Sequence, residues 1–196
     1  IVALNMYDML KPLDKGVEIC TIRLISKKGG KSERFKLKAS ISGSVTVCSD
    51  TVSKGEKKDR AGKEVIKSLE NWNIKVVNNF IIPDEIDEIQ AQLIKQIEAK
   101  TSLIIFVGGT GLSPRDQTPE AITPFIDKRI PGMEEAIRKY GQDRTSYAAL
   151  SRSVVGMAGT SLVMSLPGST KGAIESLNAV FPEALHLFDI IKGAQH

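Results

Sequence analysis

The sequence predicts an α/β fold in which helices cover both faces of a mostly parallel sheet. An apolar run at 102–107, Ser-Leu-Ile-Ile-Phe-Val, shows no alternation, which is typical of a strand buried on both faces. From residue 44 onward, predicted strands alternate with predicted helices, the pattern of parallel strands joined by helical connections. With 196 residues and 41% hydrophobic content, the chain can bury one sizeable core. We therefore expect a three-layer α/β sandwich around a mostly parallel central sheet.

Each element of that sandwich has its own signal in the sequence. The clearest helix covers 85–100, where apolar residues recur at helical spacing and charged residues occupy the opposite face. Asp59 is a suitable N-cap for the predicted helix 59–71, which comes earlier in the chain. The predicted strands are 44–49, 74–82, 102–107, 154–157 and 161–166. The predicted helices are 59–71, 85–100, 131–140, a short one at 146–151, one beginning at Thr118, and a final one that follows Ser169 and runs to about Ile190.

Residues 1–38 differ from the rest of the chain in charge. They carry nine Lys or Arg residues and four Asp or Glu residues, whereas 39–196 carry eighteen and nineteen. The segment 2–9 is predicted to be a helix that ends before Pro12, and the alternating segment 17–25 to be a strand. We therefore predict two domains, 1–38 and 39–196.

The composition excludes several classes of function. The net charge of +4 comes from the first 38 residues, and aromatic residues make up only 5%, so we expect no nucleic acid as a partner. We also expect no membrane, because no apolar run is long enough to span one. Cys20 and Cys48 lack metal-site spacing and fit a reducing compartment, so we expect buried thiols in a cytoplasmic protein. Because the chain starts with Ile1, we expect a fragment or a processed product.

A glycine-rich segment follows the strand 102–107 and is the main functional signal. Gly108-Gly109-Thr110-Gly111 offers backbone N–H groups with no Cβ in the way of a ligand. It is neither a Walker A loop, because no Gly-Lys-Ser/Thr follows, nor a dinucleotide fingerprint, because Pro114 stands where a third glycine belongs. Alone, it fits a plain tight turn equally well. Together with Arg115-Asp116 and the helix start that follows, it predicts an anion site at the carboxyl end of a sheet strand.

Three aspartates are candidates for chemistry beside that segment, and each has an ordinary structural alternative. Asp116 suits Mg²⁺, which binds one or two carboxylates together with phosphate oxygens, but a turn role or a pairing with Arg115 fits equally well. Asp84 is favoured as the N-cap of the next helix, yet its strand would end at the same sheet edge as Asp116. Asp50 and its neighbour Ser49 follow another strand end, where turn chemistry is slightly favoured over phosphate binding.

Two further segments allow two interpretations. Pro167-Gly168-Ser169 leaves the last predicted strand and starts a helix, so it predicts either a capping turn or a second anion site. Lys54 to Arg60 is a run of charged residues, which by default is a solvated loop.

The order of these motifs resembles the MoaB/Mog family of molybdopterin adenylyltransferases, which includes the gephyrin G-domain. The resemblance covers about Ile41 to the C-terminus, and its most specific part is the long block from Gly108 to Ala121. The matching segments are Ser49-Asp50-Thr51, Ile82-Pro83-Asp84-Glu85, the block 108–121, Pro131-Gly132-Met133, Leu150-Ser151-Arg152 and Leu166-Pro167-Gly168-Ser169.

The resemblance implies a Mg²⁺-dependent transfer of AMP from ATP to molybdopterin, with release of pyrophosphate. It implies that Asp84 and Asp116 are the catalytic carboxylates and the metal ligands. A homo-oligomer, trimer or hexamer, is expected, and a molybdenum-insertion enzyme is a candidate partner. The alternative is a non-catalytic module that binds pterin or nucleotide as a scaffold. The residues expected to line the substrate cleft are Ser49, Asp50, Gly108, Gly109, Thr110, Gly111, Arg115, Pro167, Gly168 and Ser169.

The first 38 residues resemble the C-terminal end of cyclic pyranopterin monophosphate synthase. The run Tyr7-Asp8-Met9-Leu10-Lys11 matches that family, and Asp8 and Lys11 would correspond to active-site residues. Leu10 and Glu33 stand where the family usually has Cys and Gly. The resemblance implies a natural fusion of two enzymes of one pathway. Because only the tail of the synthase is present, we expect no lyase activity from this chain alone.

Overall fold

The computed structural model describes residues 2–21 and 41–191, which belong to two compact units, 1–34 and 35–196. In the first unit, helix α1 covers Val2–Leu10, and the predicted helix is confirmed. Residues 17–21 have no regular structure, so the predicted strand is wrong there. A strand needs a hydrogen-bonded neighbour, and the described part of this unit holds none. The remainder of the prediction, 22–25, lies outside the described residues.

The second unit is built on a six-stranded sheet. The strands are β1 Ile41–Cys48, β2 Ile74–Ile82, β3 Leu103–Val107, β4 Lys128–Arg129, β5 Val155–Ala158 and β6 Ser161–Leu166. Their order in the sheet is β2-β1-β3-β6-β5-β4. The four strands β2, β1, β3 and β6 are parallel, and β5 and β4 continue the sheet in antiparallel pairing. The predicted mostly parallel sheet is therefore confirmed.

Helices pack on both faces of this sheet and complete the predicted three layers. The helices of this unit are α2 Asp50–Ser53, α3 Ala61–Asn71, α4 Ile86–Glu98, α5 Thr118–Ile122, α6 Pro131–Gln142, α7 Thr170–Val180 and α8 His186–Ile191, with short 3₁₀ helices at Thr123–Phe125, Ser146–Leu150 and Glu183–Leu185. On one face, Ile105 and Met164 of the central strands belong to a core shared with four helices, α3, α6, α7 and α8. On the other face, Ile104 and Phe106 pack with α4 and α5.

The register of the parallel strands brings four chain segments to one edge of the sheet. Cys48 is level with Ile82, and Val107 is level with both Val47 and Leu166. The segments that leave these four strands therefore begin side by side at their carboxyl ends, which is where α/β sheets bind ligands. They start at residues 49, 83, 108 and 167.

Several local predictions need correction. The final helix is not continuous: α7 ends at Val180 and α8 begins at His186, because Pro182 lies between them and supplies no N–H for a helical hydrogen bond. Cys20 is exposed rather than buried. Cys48 is buried as expected, and burial raises the pKa of its thiol to about 12, so it remains protonated. Asp59 caps the start of the helix Ala61–Asn71, since its Oδ1 accepts the Gly62 N–H at 2.8 Å, but it does so from one position before the N-cap residue Arg60.

Glu134 joins the antiparallel part of the sheet to helix α6. Its side chain is 4% exposed and accepts hydrogen bonds from the Arg129 Nε at 2.8 Å and from the Val155 N–H at 3.1 Å. We expect Glu134→Ala to lower the free energy of unfolding by about 2–3 kcal/mol in urea titrations. The substitution leaves the buried Val155 N–H without an acceptor and Arg129 without its ion-pair partner. The exposed Glu135→Ala should stay within about 0.5 kcal/mol of the unaltered chain. Equal losses in both variants would contradict this role.

Candidate functional site

The glycine segment after β3 lies against the end of β1 in a conformation that other residues rarely adopt. Gly108 has φ +117°, and a Cβ there would lie 2.1 Å from the Cys48 carbonyl oxygen. Gly109 has φ +61°, and its Cβ would lie 2.3 Å from the Thr118 Oγ1. Both positions therefore require glycine, for the backbone angle and for the space. The tight turn is confirmed at the sheet edge, where Gly108 is buried and its N–H donates to the Leu166 carbonyl at 2.9 Å, while Gly109 is half-buried.

Asp84 does not cap a helix, although the sequence favoured that role. Helix α4 begins at Ile86 with Glu85 as its N-cap, and no side chain caps it. The Asp84 carboxylate instead points to the first residue of α2, just beyond β1: its Oδ2 accepts the Asp50 N–H at 3.2 Å, and the Asp84 backbone N–H donates to the Asp50 Oδ1 at 3.2 Å. This reciprocal pair joins the two strand ends and turns the carboxylate towards the glycine segment.

One oxygen of Asp84 is buried without a partner. No described residue donates a hydrogen bond to its Oδ1, and a Cβ on Gly109 would lie only 3.1 Å from that atom. Burial raises the pKa of Asp84, and the nearby charges of Asp50 and Asp116 act in the same direction, against the Asp50 N–H and the Arg115 charge. An ionised carboxylate oxygen can only accept hydrogen bonds or coordinate a cation, so this unpartnered oxygen is available to a donor group or a cation of a ligand.

Arg115 pairs with Asp50 rather than with Asp116. Its Nε lies 3.0 Å from the Asp50 Oδ2 and its Nη2 lies 2.9 Å from the Oδ1, while the same Nη2 reaches Glu85 at 2.9 Å. The Arg115 guanidinium lowers the pKa of Asp50. The predicted alternative that Arg115 neutralises Asp116 is therefore wrong. Asp50 is committed to this pair, and its neighbour Ser49 caps the short helix α2 by accepting the Val52 N–H.

Asp116 keeps most of its hydrogen-bonding capacity free. Its Oδ2 accepts the Ser113 N–H at 2.9 Å, which confirms the turn role that the sequence allowed. A Cβ on Gly111 would lie 2.8 Å from the same oxygen, so Asp116 lies against the far end of the glycine segment. A carboxylate has about four lone-pair positions, and this bond uses one of them.

Arg152 holds the glycine segment and Asp116 together and was not selected from the sequence as a site residue. Its Nε donates to the Gly111 carbonyl at 2.7 Å, its Nη2 donates to the Asp116 carbonyl at 2.6 Å, and its Nη1 pairs with Glu120. Its backbone N–H also donates to the Thr110 carbonyl at 3.0 Å. The sequence signal for it was the Leu150-Ser151-Arg152 motif, which had carried only the family resemblance.

The two carboxylates open into one cleft of about 710 Å³ at the sheet edge. The sequence-selected residues that line it are Ser49, Asp84, Gly108, Gly109, Asp116, Gly168 and Ser169. A second cavity of about 310 Å³ is lined by Thr110, Gly111 and Pro167, and it shares Gly168 and Ser169 with the cleft. Asp50 and Arg115 line neither of the two. The cleft and the cavity therefore meet at the Gly168–Ser169 turn.

The Gly168–Ser169 turn is both a cap and a potential anion contact. Ser169 is the N-cap of α7, and its Oγ accepts the Gly172 N–H at 3.2 Å, so the capping role is confirmed. The first N–H groups of this eleven-residue helix lie at the border of the cleft and the second cavity. A helix N-terminus favours negative charge there.

The donor set of the cleft fits Mg²⁺ shared with a phosphate better than a metal held by protein alone. Among the described residues no group of three or more His, Cys, Asp or Glu side chains converges on one point. Asp84 contributes an orphaned carboxylate oxygen, and Asp116 contributes free lone pairs. Mg²⁺ is commonly held by one or two carboxylates together with substrate phosphates and water. These two residues therefore fit the ion only together with a phosphorylated ligand.

Asp8 and Lys11, selected from the first 38 residues, lie in the first unit, where the Lys11 Nζ binds the Asp8 Oδ1 at 2.6 Å. Asp8 and Lys11 are both exposed, and the Lys11–Asp8 contact raises the pKa of Lys11.

None of the helices in the described ranges, 2–21 and 41–191, has the length and apolar composition needed to span a membrane.

Comparison with known proteins identifies relatives of both the site-bearing domain and the whole chain. A family described as "Probable molybdopterin binding domain" matches residues 44–186. A molybdopterin adenylyltransferase of Helicobacter pylori is 36% identical over 152 residues, which is 76% of this chain and 86% of that protein. A molybdenum cofactor biosynthesis bifunctional protein of Chlorobaculum tepidum is 36% identical over 196 residues, which is all of this chain and 62% of that protein.

A solved structure shares the fold. The molybdopterin biosynthesis enzyme MoaB of Thermus thermophilus superposes with a TM-score of 0.74 at 37% identity, over 79% of this chain and 98% of that one. The chain spans 62% and 64% of the length of two bifunctional relatives that it matches. The family match, the relatives and the shared fold agree, and the chain belongs to the molybdopterin-binding domain family of molybdenum cofactor biosynthesis.

Proposed function

We propose that the chain is a molybdopterin adenylyltransferase that moves AMP from ATP to the terminal phosphate of molybdopterin. The observation that carries the proposal is the pair of carboxylates, Asp84 and Asp116, which line one open cleft together with Gly108 and Gly109. The H. pylori relative that bears this name supports the same activity. Phosphoryl and nucleotidyl transfers depend on positioning and charge neutralisation, and this site supplies groups for both.

The proposed reaction forms one bond and breaks one. An oxygen of the molybdopterin phosphate attacks the α-phosphorus of ATP, and the bond from that phosphorus to the oxygen that bridges to the β-phosphate breaks. Pyrophosphate leaves with the electron pair, and AMP remains on the molybdopterin phosphate. No covalent enzyme intermediate is needed. This fits a site whose buried thiol, Cys48, is held protonated by burial.

The residues of the cleft have separate roles in this proposal. Asp84 and Asp116 would hold Mg²⁺, which when bound neutralises phosphate charge. Gly108 and Gly109 line the cleft beside these carboxylates, and their lack of a Cβ lets the segment pack closely against Cys48 and Thr118. The N-terminus of α7 at Ser169 favours a second anionic group at the turn shared by the cleft and the second cavity. If one reactant occupied the cleft and the other the second cavity, their phosphates would meet at the Gly168–Ser169 turn.

Four further proposals accompany this one. The chain comprises a remnant of cyclic pyranopterin monophosphate synthase at 1–38, bearing Asp8 and Lys11, and the adenylyltransferase domain at 39–196. It forms a homo-oligomer, a trimer or a hexamer. Its product passes to a molybdenum-insertion enzyme. It works in the cytoplasm.

The test is a turnover assay with ATP, Mg²⁺ and molybdopterin that measures pyrophosphate. We expect release that requires all three components and yields adenylylated molybdopterin in equal amount. Binding of ATP and molybdopterin without any pyrophosphate would contradict the proposal. That result would support a non-catalytic scaffold, the alternative that the sequence left open.

A further inference from the structure

A loop of charged residues, 54–60, forms one wall of the cleft that holds Asp84 and Asp116. The sequence alone favoured a solvated loop. The structure anchors the loop backbone at three points: the Lys54 N–H donates to the Asp50 carbonyl at 3.2 Å, the Lys57 N–H donates to the Thr51 carbonyl at 3.1 Å, and the Asp59 Oδ1 accepts the Gly62 N–H at 2.8 Å. Lys57 and Lys58 lie within this anchored stretch, are exposed and line the cleft. The backbone that carries these two lysines is therefore held beside the site.

The cationic side chains of this wall have no ion-pair partner among the residues that the structure describes. Lys57, Lys58 and Arg60 are the cationic residues that line the cleft, and none of them makes an ion pair with a described residue. By contrast, Arg115 is bound to Asp50 and Glu85, and Arg152 is bound to Glu120 and to backbone carbonyls. Among the described residues, every positive side chain that lines the cleft therefore comes from this loop.

The other charged groups of the cleft are acidic. Asp84 and Asp116 repel a polyphosphate unless a cation lies between them and the phosphates. Asp59 is occupied by its cap, and Glu56 lies on the same loop as the lysines. A nucleoside triphosphate that places its α-phosphate near the carboxylates must extend its β- and γ-phosphates elsewhere in the cleft. Among the described residues, the cationic wall is the part of the cleft lining that carries full positive charges to neutralise them.

We propose that Lys57 and Lys58 form a pyrophosphate subsite. This inference rests on the adenylyltransfer proposed above. The two ammonium groups donate hydrogen bonds to oxygens of the β- and γ-phosphates of ATP. When the bond between the α-phosphorus and the bridging oxygen breaks, the same groups neutralise the charge that develops on the leaving pyrophosphate. Arg60 also lines the cleft, but it stays unchanged in the test because it is the first residue before α3.

The test uses the double variant Lys57→Met/Lys58→Met. Its KM for ATP should rise about tenfold, and inhibition by added pyrophosphate should weaken by about the same factor, because two charge-assisted contacts are lost. The affinity for AMP, which lacks the β- and γ-phosphates, should stay within about twofold. A structural fault would impair AMP binding as well. Calorimetric titration with inorganic pyrophosphate and Mg²⁺ measures the subsite directly and needs no turnover.

Two control variants make the result specific. Lys63→Met/Lys67→Met removes the same charge from exposed positions of α3 that do not line the cleft, and it should leave the KM for ATP and pyrophosphate binding unchanged. Lys57→Arg/Lys58→Arg should restore pyrophosphate binding. Unchanged pyrophosphate binding in the methionine variant, beside a working wild type, would overturn the inference. Lysine-dependent pyrophosphate binding in a chain that shows no turnover would support the subsite and contradict only the proposed reaction.

Discussion

Asp84→Asn is expected to lose AMP transfer by about 10³-fold and, in the same variant, to unfold at a higher temperature than the unaltered chain. The loss follows because an amide cannot neutralise a metal ion or hold it beside the α-phosphate. The gain follows because the ionised carboxylate is half-buried, lies near Asp50 and Asp116, and has an oxygen with no partner among the described residues. The asparagine oxygen still accepts the Asp50 N–H. Function and stability should therefore change in opposite directions.

The pH dependence of this gain has a definite sign. The folded protein raises the pKa of Asp84 above its ordinary value of 3.8, mainly because burial disfavours the charged form. The neutral form of Asp84 therefore stabilises the folded protein fully below pH 3.8, and this stabilisation is lost as the pH rises through the raised pKa of Asp84 in the folded state. At pH 7 the charge costs stability, by at most about 1 kcal/mol because the group is partly solvated, or about 2–4 °C in Tm. The advantage of Asp84→Asn should be largest at pH 7 and shrink towards pH 4.

Asp116→Asn is the matched control for this pair of effects. We expect a similar loss of activity, since Asp116 faces the same cleft, but a Tm within about 1 °C of the unaltered chain. The asparagine oxygen can still accept the Ser113 N–H, and Asp116 is not buried. Thermal unfolding at pH 4 and pH 7, measured without Mg²⁺, checks all three proteins. Full activity in either variant would remove that residue from the mechanism.

The sheet and its ligand edge could be predicted because their signals are local. The run at 102–107 is apolar at almost every position, and such a strand must be covered on both faces. Once the strands are parallel, their carboxyl ends meet at one edge, so Asp84 and the glycine segment had to lie close together. The structure confirms that placement, with both carboxylates lining one cleft.

The partners of the charged residues could not be predicted, because they depend on contacts between distant segments. Asp84 has the local pattern of an N-cap, but the neighbouring strand end supplies the Asp50 N–H, and that contact replaces the cap. Arg115 stands next to Asp116 in sequence but reaches across to Asp50, 65 positions away. The wall formed by 54–60 has the composition of a solvated loop, and only its anchoring to Thr51 and Gly62 places it in the cleft.

Arg152→Met is expected to lower kcat by about 10²-fold while leaving the Kd for ATP nearly unchanged. Arg152 touches no part of the proposed reacting groups, and we assign it a positioning role: its guanidinium binds the carbonyls of Gly111 and Asp116 and so fixes the far end of the glycine segment. Without these bonds the Asp116 carboxylate is free to shift, and a displacement of about 1 Å can cost that factor in rate. The free energy of unfolding should fall by only about 1–2 kcal/mol.

Two further variants separate this positioning role from a simple ion pair. Arg152→Lys keeps the charge but loses the planar set of donors that contacts two carbonyls at once, so it should recover little of the lost kcat. Glu120→Gln breaks the ion pair with Arg152 and leaves both carbonyl contacts intact, so it should keep most of the activity. Full recovery in Arg152→Lys, or a loss in Glu120→Gln as large as that in Arg152→Met, would show that charge and not geometry is what Arg152 contributes. The expected outcome would show that the rate depends on how firmly Arg152 holds Asp116. The sequence identifies Asp116 as a candidate but does not reveal this dependence.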